Sequence, residues 1–320
     1  MRKFIPYIVS AIIVIQAFTP PFEMAVRLTN SPLQFVWVFL LCGFLSIYFI
    51  FTKANIFLKV LLPYLFINCF LSAAPWISYT SFVWVAVAAY FYLLCLEIED
   101  WEPVFKTVGC ILAVELLLLV LGALGKDSLY NFGQAHIVCI GSVGNTMQFK
   151  SLIIILVAIL IQRFKALRQY LPMTYITLGI VAFCYFFLHK VGPNFLYARG
   201  PAWLEALRLS LKHPIVGWGL SSFHAIFPAL GKGSFTLEGQ WTNAHNFFIQ
   251  FLFDTGLIGL SLILCYVIWL FEECRGVLLL GFLLVAFTLL VHFPEREPSC
   301  ALLIVLFASL IERKNHAIPI

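Results

Sequence analysis

Charge is what this sequence has least of. Lys, Arg, Asp and Glu make up 11 % of its 320 residues, where a soluble domain carries about 25 %. So few charges cannot cover a water-facing surface. With 62 % hydrophobic residues and a mean hydropathy of +0.99, the composition predicts an integral membrane protein. Other absences narrow the chemistry. There is no HExxH and no cluster of carboxylates on a loop, so no metal site is expected. There is no P-loop, so nucleotide hydrolysis by that route is excluded and the energy for a reaction must come from an activated substrate. The nine cysteines form no CxxC pair and lie mostly in apolar runs, where they read as small buried hydrophobes. The first apolar run, Phe4 to Phe18, is followed by no small-residue cleavage site and reads as a short first span, not a removable signal. No solenoid repeat or low-complexity tract is present.

What the chain does contain is a series of apolar runs, each of roughly the length that crosses a bilayer as a helix. The expected fold is therefore all-α: a single integral membrane domain over 1–320, a polytopic bundle of about ten spans at 4–19, 33–52, 56–75, 77–96, 104–124, 147–162, 171–189, 246–271, 276–292 and 298–311. Basic residues set its orientation. With the N-terminus inside, 11 of the 20 Lys and Arg fall on the cytoplasmic side and 4 in short outer connections, which favours both termini inside. The net charge of +5 is thus a topology signal and implies no nucleic acid. The remaining five basic residues lie in the one long connection, 190–245, which this topology places outside the cytoplasm.

That segment carries its own pattern. Pro201 suits a first helical turn, and Pro214 with the glycines after it suits an end, so a helix is expected over about 201–212. Trp203, Leu207 and Leu211 then share one face, as in an amphipathic helix at a membrane surface. Downstream, "QWTNAHNFFIQFLFDTGLIGL" at 239–259 sets polar residues at the opening of a span. Thr242 or Asn243 can cap that helix, placing His245 in its first turn. There the positive end of the helix dipole disfavours imidazolium, and a neutral imidazole is what a general base requires. The plainer reading of a lone histidine is a hydrogen bond across a helix end. Asn246, Gln250 and Asp254 follow at i, i+4 and i+8, stacked on one face; polar groups at that depth face a cavity or bond between helices.

Cations stand nearby. Arg199 precedes Gly200-Pro201, at the expected start of the surface helix, where an anion such as a diphosphate is favoured; its alternative is snorkelling to headgroups. Arg208 has Glu205 three residues before it as a pairing partner. Lys190 and Lys212 add positive potential or mark the interface. Glu115 lies near the middle of a span, where an unpaired carboxylate is expensive. The outer connection "AHIVCIGSVGNTMQFK" at 135–150 holds His136, Asn145 and Lys150.

Taken in order, Arg199 with Trp203, "HPIVGWGLSSF" at 213–223 and "NAHNFFIQFLFDTGLIGL" at 243–260 resemble the core of the O-antigen ligase and polymerase family. "GSVGN" at 141–145 loosely resembles an earlier segment of it. The resemblance implies a bacterial inner-membrane glycosyltransferase, metal-independent and without a cofactor, working on the periplasmic face. Its donor would be a glycan on undecaprenyl diphosphate. Its acceptor would be lipid A-core or protein for a ligase, and another lipid-linked glycan for a polymerase. His245 would deprotonate the acceptor hydroxyl, Arg199 would hold the donor diphosphate, and Asn246 would orient His245. Where the family usually has a further arginine, this chain offers His136 and Lys150; Arg208, followed by ten residues and then Gly219, is an alternative contact. A transporter or lipid flippase without chemistry is the competing expectation, motivated by Glu115 and the Asn246–Gln250–Asp254 face.

Overall fold

The computed structural model describes residues 2–18, 32–123, 146–163, 194–231, 243–274, 277–291 and 298–316. All regular structure among them is helical: α1 Ile5–Phe18, α2 Pro32–Tyr48, α3 Ile56–Phe70, α4 Pro75–Leu96, α5 Glu102–Ala123, α6 Thr146–Leu160, α7 Asn194–Ser210, α8 Phe223–Leu230, α9 Phe247–Glu273, α10 Val277–Val291 and α11 Pro298–His316. The expected span at 171–189 lies outside the described residues. Two helices, α4 and α9, are long and apolar enough to cross a membrane, while the apolar stretches of α1, α2, α3, α6 and α10 are shorter. The all-α expectation therefore holds, while among the described residues two helices, and not about ten, have by themselves the length and apolarity of a span.

Local signals explain several boundaries. Pro75 stands in the first turn of α4, where its missing N–H is not needed. The Asn55 side chain accepts from the Phe57 N–H and caps α3. The last helix, α11, packs against α1, α4, α6 and α9, and accordingly buries Leu303, Leu306, Phe307 and Ile311. Its far end is pinned by a buried polar contact, Tyr92 of α4 donating to Glu312. A second core lies between α2, α3 and α4, dominated by aromatic rings around Phe39, Phe66 and Phe82. A third joins α7, α8 and the start of α9 through Ala206, Phe223, Phe227 and Phe253.

Two expectations about the connecting segment are corrected. The helix expected at 201–212 begins at Asn194 and runs through Pro201. Pro201 thus sits inside α7, and Arg199 lies within the helix, not at its N-terminus. Along the face expected to hold Trp203, Leu207 and Leu211, exposure rises, with Trp203 half-buried and the two leucines exposed. Leu204 and Leu211 are exposed, at 70 % and 76 %, while the Trp203 indole turns inward and its Nε1 donates to the Ala244 carbonyl at 2.6 Å. Residues four apart drift by about 40° around a helix, so Trp203 and Leu211, eight apart, are separated by about 80°, enough for one to turn inward while the other stays exposed. A half-buried indole N–H needs an acceptor, and that need selects the inward one.

Candidate functional site

α9 is broken at Gly256, whose backbone has φ 65° and ψ −167°. Breaking a helix orphans carbonyls on one side and N–H groups on the other. The 213–219 segment supplies both. Trp218 N–H donates to the Phe253 carbonyl at 3.0 Å and Gly219 N–H to the Asp254 carbonyl at 2.8 Å. Leu257 N–H donates to the Pro214 carbonyl at 2.8 Å and Ile258 N–H to the Ile215 carbonyl at 3.3 Å. Tyr64 Oη donates to the Thr255 carbonyl at 2.5 Å. Such approach requires glycine on both partners. A Cβ on Gly256 would collide with the Ile215 carbonyl, and one on Gly217 (φ 71°) would lie 2.6 Å from the Asp254 carbonyl. The other side of the turn is docked on α3 and α4: Asn68 Nδ2 donates to the Val216 carbonyl at 2.6 Å and Ser78 Oγ to the Leu220 carbonyl at 2.6 Å.

Asp254 extends the same junction. Its Oδ1 accepts from Phe223 N–H at 2.8 Å and Ser222 Oγ at 3.2 Å. It thereby caps α8, for which Ser222 makes no side-chain cap of its own. The acidic group favours that helix N-terminus electrostatically as well. The spacing of Asn246, Gln250 and Asp254 thus leads to three separate bonding roles on one side of α9.

The cap of α9 is Asn246, not Thr242 or Asn243. Its Oδ1 accepts from the Ile249 N–H at 3.0 Å, and its Nδ2 donates to the Leu290 carbonyl at 3.0 Å, tying α9 to the end of α10. His245 therefore precedes the cap instead of standing in the first turn. It is half-buried, with its Nδ1 shielded from solvent, and its backbone is left-handed at φ 53°. A non-glycine residue is held there only by surroundings that over-determine it, and such positions cluster at functional sites. Ala244 just before it is buried, and the peptides on both sides of it are fixed. Its N–H donates to Gln250 Oε1 at 3.0 Å, and its carbonyl accepts from Trp203.

Arg199 belongs to this constellation through α7. It lies one turn before Trp203, on the same face, and Trp203 bonds the residue adjacent to His245. The guanidinium is half-buried, and desolvation lowers its pKa to about 10. That value is still far above neutral, so the charge is retained. A cation already stripped of part of its water binds an anion with less further desolvation. Arg208 is not brought here. It is exposed and forks onto Glu205, with Nε 2.7 Å from Oε2 and Nη2 2.6 Å from Oε1. Nine residues beyond Arg199, it points to the opposite side of α7. His136 and Lys190 lie outside the described residues. Lys150 falls in the first turns of α6, and its side chain is outside the described set too.

Beneath this cluster runs an apolar cavity of about 920 Å³, lined by α1, α3, α4, α9, α10 and α11. Along α9 its wall extends from Phe247 to Leu270, roughly 35 Å at 1.5 Å per residue. Ser221, Gln250, Asp254 and Tyr266 are among its few polar lining residues. Gln250 is the residue that links cavity and histidine, and its spacing from Asn246 was the sequence signal for it. Trp203 carried no comparable signal, because an indole at a membrane interface is expected anyway. No three histidine, cysteine or acidic side chains come together as a metal site among the described residues. No family model, curated protein or solved structure matches this chain.

Proposed function

We propose that this chain is a polytopic inner-membrane glycosyltransferase of the O-antigen ligase type, with both termini cytoplasmic and its site on the periplasmic face. It moves a glycan from an undecaprenyl diphosphate carrier to an acceptor hydroxyl, with lipid A-core as the acceptor class. One observation carries this reading. A histidine held in a left-handed backbone is joined through Ala244 and Trp203 to the helix that bears a half-buried arginine, and the helix that follows the histidine lines a long apolar cavity. The cavity matches the hydrocarbon part of a lipid-linked donor, and its length is comparable to the bilayer core of about 30 Å. Exposed Leu204, Leu211 and Ile215 around α7 suit burial in lipid at the interface.

On this reading His245 takes the proton of the acceptor hydroxyl as that oxygen attacks the anomeric carbon. The bond from that carbon to the diphosphate oxygen breaks, and Arg199 stabilises the charge that collects on the departing diphosphate.

The transporter alternative draws on one observation, the break in α9, since transporters build midplane sites from discontinuous helices. The groups freed here are bound by 214–219 and Tyr64, which leaves them unavailable to an ion. The test uses membranes supplying a lipid-linked repeat unit, with wild-type protein and His245→Ala. The expected result is His245-dependent movement of glycan to lipid A-core, seen on a gel and by mass spectrometry. A His245-dependent ladder still on the carrier would make the protein a polymerase. Equal products from both proteins would remove the reading.

A further inference from the structure

Ala244 is held on both sides, at the peptide bond that leads to His245 and at the one that comes from Asn243, by side chains that are far apart in sequence. Trp203, 41 residues before Ala244, donates Nε1 to its carbonyl at 2.6 Å. Gln250, six residues after, accepts its N–H through Oε1 at 3.0 Å. Immediately beyond His245, the Asn246 cap fixes the next turn through the Ile249 N–H. His245 is therefore strung between two immobilised backbone segments, and its φ of 53° follows from where they are fixed. Left to itself a histidine would relax toward extended or right-handed backbone, and its ring would swing to another direction.

We infer that Trp203 and Gln250 are positioning residues that set the direction of the His245 imidazole by fixing the two peptides that flank Ala244, with no contact to the reacting atoms. Gln250 also ties this arrangement to the cavity. It is 3 % exposed and lines the wall, and its Nε2 has no hydrogen-bond partner among the described residues. A bound molecule with an acceptor oxygen at this depth would engage that donor, so Gln250 holds the histidine with one end of its amide and meets the ligand with the other. The catalytic consequence rests on the transfer reading given above; the positioning does not.

The test reads the His245 environment directly. Purified full-length protein in detergent is treated with diethyl pyrocarbonate, and modification of the His245 peptide is followed by mass spectrometry, with exposed His224 as internal reference. Trp203→Phe and Gln250→Leu each remove one hydrogen bond, worth about 1 kcal/mol, and should change the His245 rate by about fivefold. Trp218→Phe removes a similar indole bond, to the Leu209 carbonyl at 3.0 Å, and should leave it unchanged. A His245 rate within about twofold of wild type in both variants, or an equal change in Trp218→Phe, overturns the inference. In the transfer assay, kcat should fall in both variants by about the same fivefold with KM for the donor raised only in Gln250→Leu. Loss of activity in His245→Ala with normal kcat in both variants overturns the positioning alone. Full activity in His245→Ala overturns the transfer reading, while the labelling result still decides the positioning.

Discussion

α9 departs from regular helix at two places, and they are built on opposite plans. At Gly256 five backbone groups come free and five protein groups bind them. The strained residue is a glycine, and the side chains at the break, Tyr64 and Asp254, are both engaged in holding it together. At Ala244–His245–Asn246 the backbone is also held by the protein, but the residue in the left-handed region is a histidine, and a different side chain caps the helix. The first irregularity is consumed by the fold. The second places a strained backbone at a titratable side chain. On the proposed reading, that difference separates a packing device from a reactive one, since strained non-glycine positions cluster at functional sites.

The comparison can be broken by substitution, and the largest effects come first. His245→Ala should reduce transfer by about 10²–10⁴-fold, the range for a general base, while the amount and melting temperature of folded protein stay at wild type. Gly256→Ala and Gly217→Ala should do the reverse. A methyl at either position meets backbone and forces a positive φ, so each should cost about 3 kcal/mol or more. Size-exclusion profiles and melting in detergent would show loss of folded protein, with activity lost only in proportion. Arg199→Lys should keep a charge but lose the fork, lowering kcat/KM by about tenfold with folding retained; Arg199→Ala should lower it further. Asp254→Asn removes the charge from the α8 cap and should cost about 1–2 kcal/mol, visible as a lower Tm at pH 7 with transfer chemistry preserved. Arg208→Ala is the smallest: an exposed arginine on the far side of α7 should leave both Tm and transfer unchanged.

Much of this site was legible in the sequence because its signals are short-range. The i, i+4, i+8 spacing of Asn246, Gln250 and Asp254 placed three polar groups on one side of a helix, and each does bond there. The all-helical class followed from composition alone. What was not legible depends on partners far along the chain. Nothing local distinguishes Gly256 from a small residue packed between helices; its break is set by 213–219, roughly forty residues earlier. The cap moved from Thr242 or Asn243 to Asn246 because Asn246, besides accepting from the Ile249 N–H, finds a second partner in the Leu290 carbonyl of α10. Pro201 read as a helix start, yet α7 continues through it, since a proline removes one N–H and the rest of the helix is held by packing on α9. Trp203 was grouped with Leu207 and Leu211 because periodicity ignores the direction in which a polar handle finds a partner.

The most direct measurement compares His245→Ala with wild type in one preparation, recording melting temperature in detergent and transfer from a polyprenyl-diphosphate-linked glycan to lipid A-core. The account predicts an unchanged melting temperature and no detectable transfer. Transfer at the wild-type rate, or a melting temperature that falls as far as it does in Gly256→Ala, would contradict it.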